Sequence, residues 1–222
     1  MHASRRTRTL TALLLGAAYA LMAGCNIVTP VFFAVYGPPR TQPQHELVAE
    51  RATVVFVDDR SNEIARRSLR VRIAEGVQQQ LLERGVLEDM IDTRATFQIA
   101  SNESLNDPQP ISRIGYELGA SAIIYLTIDR FVLSEDNATI APVCEARLKV
   151  LDLDNRSREW PASPAGYPVT VRLPRPAGYA PSTNADLARL EDQLADLMAL
   201  GVAQVFYEHE SSQTVYNQGF RP

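Results

Sequence analysis

Residues 114–124 read Ile114-Gly115-Tyr116-Glu117-Leu118-Gly119-Ala120-Ser121-Ala122-Ile123-Ile124, and this stretch decides the fold. A short helix from about residue 111 to 118 is closed by Gly119, the residue type that enters the left-handed backbone region at no steric cost. Small Ala120 and Ser121 then let the chain turn directly into a strand. Residues 122–128 (AIIYLTI) carry the strongest strand signal in the chain, with an extension toward Leu133. A helix feeding straight into a buried strand implies an α/β arrangement, so the junction has a structural role.

Outward from the junction, residues 135–137 (Glu-Asp-Asn) read as a turn, and residues 139–151 as the returning strand of a long hairpin. Ala146, Leu148 and Val150 there alternate with Arg147, Lys149 and Leu151. Upstream, residues 52–57 (ATVVFV) form a continuous apolar run suited to a central strand, ending at Asp58-Asp59-Arg60. Ser61 is placed to cap a helix running to about Arg84. Leu69, Ile73, Val77 and Leu81 recur every fourth residue along it, with Ala74 and Leu82 alongside, and Gly85 stops it. A weaker strand is expected within residues 91–99, and a polar loop over 101–109.

Downstream, residues 156–168 read as a Pro/Gly-rich loop holding Trp160. Residues 167–173 (YPVTVRL) form a fifth strand, at an edge because of Pro168. Residues 175–181 are a second such loop. Thr183 with Asp186 resembles a capping box, and the helix behind it carries Leu187, Leu190, Leu194, Leu197, Gly201 and Val205. After Glu208 a polar, frayed tail is expected. The expected order is β-α-β-α-β-β-β-α, a single α/β (α+β) domain with a mixed sheet of about five strands and helices packed on it.

The N-terminal region carries the clearest functional signal. Arg5, Arg6 and Arg8 precede residues 10–22 (LTALLLGAAYALM), an apolar stretch too short for a spanning helix of about 20 residues. It fits the core of an export signal. Its end, Leu21-Met22-Ala23-Gly24-Cys25, resembles the lipobox of bacterial lipoproteins, with Met22 where Leu is commoner. That resemblance implies cleavage after Gly24 and a diacylglyceryl group on the Cys25 thiol. Acyl chains add about 0.8 kcal/mol per buried methylene, so two or three anchor firmly where one would not. Asn26 follows; in enterobacterial sorting Asp at that position favours inner-membrane retention, so Asn leans toward the outer membrane. The chain thus divides into a signal peptide (1–24), a lipidated N-terminus and tether (25–50), the domain (51–210) and a flexible tail (211–222). In the tether, Phe32 and Phe33 suit either contact with lipid or packing on the domain.

Composition narrows the chemistry. The 222 residues are 45% hydrophobic and 22% charged, as in a globular protein, and the net charge of -4 argues against general nucleic-acid binding. Of the two cysteines, an acylated Cys25 leaves Cys144 without an intramolecular partner, so a disulfide framework is excluded. Those cysteines and the scattered His2, His45 and His209 argue against a zinc site, and no cofactor motif is present. Asp58 and Asp59 close a strand, where α/β proteins often place sites, but no second carboxylate or histidine cluster completes one. Cys144 reads as a buried small hydrophobe. Trp160, Tyr167 and Tyr179, with Arg172 and Arg175, are residue types enriched at binding hot spots and form a candidate partner surface.

The junction at 114–124, and the opening strand ending in Asp/Arg with a following helix ending Leu81-x-x-x-Gly85, resemble the CsgG-like group of envelope proteins. That group includes LpoB and the N-terminal domain of TolB. The resemblance covers roughly residues 50–153 and implies the fold more than a task, since the group spans several. The long amphipathic strands of a secretion pore are not evident, and the turn at 136–137 is too tight for a pore-forming insertion. The leading expectation is a non-enzymatic, membrane-anchored envelope lipoprotein that binds another envelope protein as an accessory or assembly factor. The alternatives are an envelope hydrolase using Asp58 and Asp59, or a ring-forming secretion subunit.

Overall fold

The computed structural model describes residues 37–101, 110–134, 139–174 and 181–218. The chain divides into two units, residues 1–40 with 210–212, and residues 41–209 with 213–222. In the first, the Ser211 amide donates to the Pro39 carbonyl at 2.8 Å. Two-residue strands β1 (Arg40–Thr41) and β7 (His209–Glu210) pair with each other.

The second unit is a mixed α/β domain around a five-stranded sheet. Its elements are β2 (Thr53–Asp58), α1 (Ser68–Glu83), α2 (Thr93–Ser101), α3 (Ile111–Glu117), β3 (Ala122–Val132), β4 (Val143–Asp152), β5 (Ser157–Trp160), β6 (Tyr167–Arg172) and α4 (Asn184–Gln204). β2 and β3 are parallel, with Thr53 opposite Ala122 and Asp58 opposite Thr127. Parallel neighbours need a crossover, which the three helices between them supply. β3 and β4 form the long antiparallel hairpin, with a register shift between Ile128 and Arg130. β5 and β6 lie one after the other along the free side of β4, β5 against Val150–Asp152 and β6 against residues 143–148.

Helices cover both faces. On one, α1 and α4 pack over Val55, Val57, Ile124, Leu126, Leu148 and Val171 to form the main core. Ile73, Val77 and Leu81 of α1 are fully buried there, each contributing roughly 1.5–3 kcal/mol. On the other face a smaller cluster gathers Val54, Phe56, Ile114, Ile123 and Leu153. Among the described residues no helix is long and apolar enough to cross a membrane.

The fold class, the helix-to-strand junction and the long hairpin are as expected. Gly119 (φ 70°) and Gly85 (φ 65°) take the left-handed backbone that ends their helices. Thr183 and Asp186 form a reciprocal capping box at the start of α4. Several expectations are corrected. Residues 91–99 are not a strand: Met90 makes one bridge to Thr53, and the chain then turns into α2. There the Asp92 side chain accepts the Arg94 amide, and Thr93 and Thr96 are buried at helical spacing, with Phe97 against Phe56. The first helix does not start at Ser61. Asp59 accepts amide hydrogens from Glu63 and Ile64, and the helix begins at Ser68; Leu82 at its far end is exposed. The segment 157–160, expected as loop, is β5, because Trp160 aligns its apolar side chain with Val150 over the core. Among the described residues the order between β2 and β3 is therefore three helices rather than α-β-α, and β5 supplies the fifth strand of the sheet.

Nor is the C-terminal segment a frayed tail as far as Gln218. Tyr216 is buried and bridges Val171, and the Asn217 amide donates to Thr170 O at 2.7 Å. Part of the stretch 25–50, expected as a tether, packs on the domain: Leu47 lies against the core, and the Gln44 amide donates to Val205 O at 2.8 Å.

Candidate functional site

Cys25, Gly24, Phe32, Phe33, Arg175 and Tyr179 lie outside the described residues. The remaining candidates fall in three places.

Asp58 ends β2 and Asp59 follows it, and their carboxylates have separate partners. The Asp58 carboxylate accepts from Arg60 Nε at 2.7 Å and from the Tyr125 hydroxyl. Burial, with the hydrogen bond to Asp58 second, pushes the Tyr125 hydroxyl up to about 12. Asp59 is buried, and its two oxygens take the Glu63 and Ile64 amides at 2.8 and 3.0 Å. Both carboxylates are thus engaged in holding the strand end and the turn after it, the role that aspartates play in turns. Among the described residues no group of three or more His, Cys, Asp or Glu side chains could hold a metal ion.

Cys144 is fully buried in β4, and burial pushes its thiol well above the ordinary value, away from the nucleophilic thiolate.

The structure brings Trp160 and Tyr167 together and separates Arg172 from them. The Trp160 and Tyr167 rings lie 4.9 Å apart, and both pack against the main core on the face covered by α1 and α4. His45 stacks on Trp160 at 5.5 Å, with Phe206 edge-on at 6.3 Å from Trp160. Trp160 is thereby a mortar joining the segment before β2, the sheet edge and the end of α4. Arg172 follows buried Val171, so its side chain emerges on the opposite face. It sits opposite Val143 while Trp160 sits opposite Val150, roughly 23 Å away at about 3.3 Å per residue.

The sequence reading missed the ionic hub beside Trp160. Arg51 reaches Asp152 at 2.6 Å and Glu159 at 2.6 Å, and donates to Ser121 O at 3.0 Å. His45 Nε2 lies 3.1 Å from Glu159 Oε1. The Asp152 carboxyl is held below the usual range by the Asn155 amide and side chain and by Arg51. Nothing local marks Arg51, because its partners come from β4, β5 and the junction.

On the face opposite α1 and α4, the small cluster stops at Leu151 and Leu153. Beyond it along β4 and β6 lie Lys149, Arg147, Glu145, Pro168 and Arg172, with Arg147, Pro168 and Arg172 exposed. Arg147 pairs with Asp129 at 2.7 Å, and Arg130 lies 3.9 Å from Glu145. This part of the sheet presents a polar, charged surface with cations in excess.

No protein-family model matches the chain, and no curated protein matches it. Solved structures do. One is the PelC dodecamer from Paraburkholderia phytofirmans, at 11% identity and a TM-score of 0.42, covering 76% of this chain and 96% of that one. Another is lipoprotein GNA1162 from Neisseria meningitidis, at 10% identity and a TM-score of 0.38, covering 65% and 96%. A third is the LpoB C-terminal domain from Salmonella enterica, at 13% identity and a TM-score of 0.36, covering 58% and 86%. The proteins of known structure to which this chain is similar thus include a bacterial lipoprotein.

Proposed function

We propose that the chain is a lipid-anchored protein of the bacterial cell envelope, whose α/β domain binds another envelope protein as an accessory or assembly factor. The observation that carries this reading is the succession of sequence features at the N-terminus: Arg5, Arg6 and Arg8, the apolar stretch 10–22, then Ala23-Gly24-Cys25. It supplies export and anchorage ahead of one folded domain. The charged sheet face around Arg147 and Arg172 is the surface offered to the partner, since it is exposed while the aromatic cluster at Trp160 serves the core. Asp58 and Asp59 are spent on structure, which weighs against the hydrolase alternative. Outer-membrane placement follows from Asn26 under the enterobacterial rule.

Two measurements test this. Cys25→Ser should abolish incorporation of radiolabelled palmitate; persistent labelling overturns the anchor. A photo-crosslinking residue at Arg172 should capture one envelope protein reproducibly, with the capture lost on Arg147→Glu. Failure to capture any protein from the intact envelope overturns the accessory role.

A further inference from the structure

We propose that the groove between α3 and the β4–β5 hairpin is a binding site for a small anionic amphipath, a molecule with an apolar segment ending in a carboxylate or phosphate. The groove encloses about 470 Å³, within the range of ligand pockets. Its floor is apolar: Ile111, Leu151 and Leu153 line it, Leu153 being part of the smaller core cluster and the other two packing against it. Tyr116 forms a wall, fixed by its hydroxyl donating to Leu153 O at 2.7 Å, while the residue stays 46% exposed.

The rim is cationic. Arg156 and Arg158 both line the groove. Arg158 donates to the carbonyls of Pro161 and Ala162 at 2.8 and 2.9 Å, which fixes the guanidinium in place without neutralising it. Arg156 is exposed and makes no ion pair with a described residue. It stands on a left-handed backbone, at φ 52°. One carboxylate, Asp152, also lines the groove, but Arg51 at 2.6 Å and the Asn155 side chain hold it. Asp154 faces Arg51 at 3.7 Å. An apolar floor under fixed guanidinium groups suits a ligand whose charged end meets the arginines and whose apolar end displaces water from Leu151 and Ile111. The site is independent of the partner face at Arg172.

The test is calorimetric titration of the full chain in nonionic detergent against protein-free micelles, with three probes: hexyl phosphate, inorganic phosphate and 1-hexanol. Hexyl phosphate should bind saturably, and each of the other two at least about tenfold more weakly, because each carries half of the recognition. Arg156→Gly with Arg158→Gln should weaken hexyl phosphate by about tenfold or more, as expected for charge-assisted hydrogen bonds. Arg156→Gly alone, which suits the left-handed backbone, keeps the fold and should give a partial loss. Equal affinity for inorganic phosphate overturns the amphipath. Undiminished binding in the folded double variant overturns the site, as does absence of saturable binding to the parent.

Discussion

Gly76 of α1 and Ala199 of α4 meet so closely that a Cβ built on Gly76 would lie 2.7 Å from the Ala199 Cβ. The two helices that cover the main core are therefore joined through a position with no side chain. Alanine normally stabilises a helix interior by roughly 1 kcal/mol over glycine. Here the added methyl has no room, and overpacking costs about 1–3 kcal/mol. Gly76→Ala should lower stability in urea unfolding, and the exchange Gly76→Ala with Ala199→Gly should recover much of the loss. A Gly76→Ala chain more stable than the parent would contradict the close contact.

Arg51→Ala should lower stability, because it leaves Asp152 and Glu159 without their shared cation and Ser121 O without its donor. Arg51→Lys should recover only part, since one ammonium cannot span three acceptors as a guanidinium does. Thermal unfolding of the three chains orders them. Equal midpoints would show that the hub adds nothing.

The Asp152 carboxyl is held low, first by the Asn155 amide, and Asp186 is held low by Thr183 and Ser182. A depressed folded pKa means stability that is present above the unfolded value of about 3.9 and lost as pH falls through the folded one. Urea midpoints should decline from about pH 4 downward. Asp152→Asn should be less stable at pH 7 and should flatten that decline. A variant whose acid limb matched the parent's would refute the assignment.

Tyr216→Ala should destabilise the domain by about 2–4 kcal/mol, as for a buried aromatic truncated to alanine. Burial, followed by the neighbouring Tyr167, pushes the Tyr216 hydroxyl up to about 12, so both phenols stay neutral at physiological pH. A frayed tail would instead leave stability unchanged in chemical denaturation.

What the sequence alone determined is whatever short-range chemistry dictates. The 114–124 junction, the left-handed Gly85 and Gly119, the Thr183–Asp186 box and the period of α1 each depend on residues a few positions apart. The proposed Arg5-to-Cys25 signal is likewise read as a linear string. Tertiary structure decided the rest. Residues 91–99 are apolar enough for either period, and the chance to place Thr93, Thr96 and Phe97 under one helix face beside Phe56 chose α2. Ser157–Trp160 is too short to announce itself as a strand and exists because β4 offers it a free edge. Trp160 and Arg172 look like one binding patch in sequence, but alternation along β5 and β6 puts them on opposite faces. The Arg51 hub and the Arg156–Arg158 groove join residues from distant elements. Their charges have meaning only after folding has fixed which carboxylates they meet and which they miss.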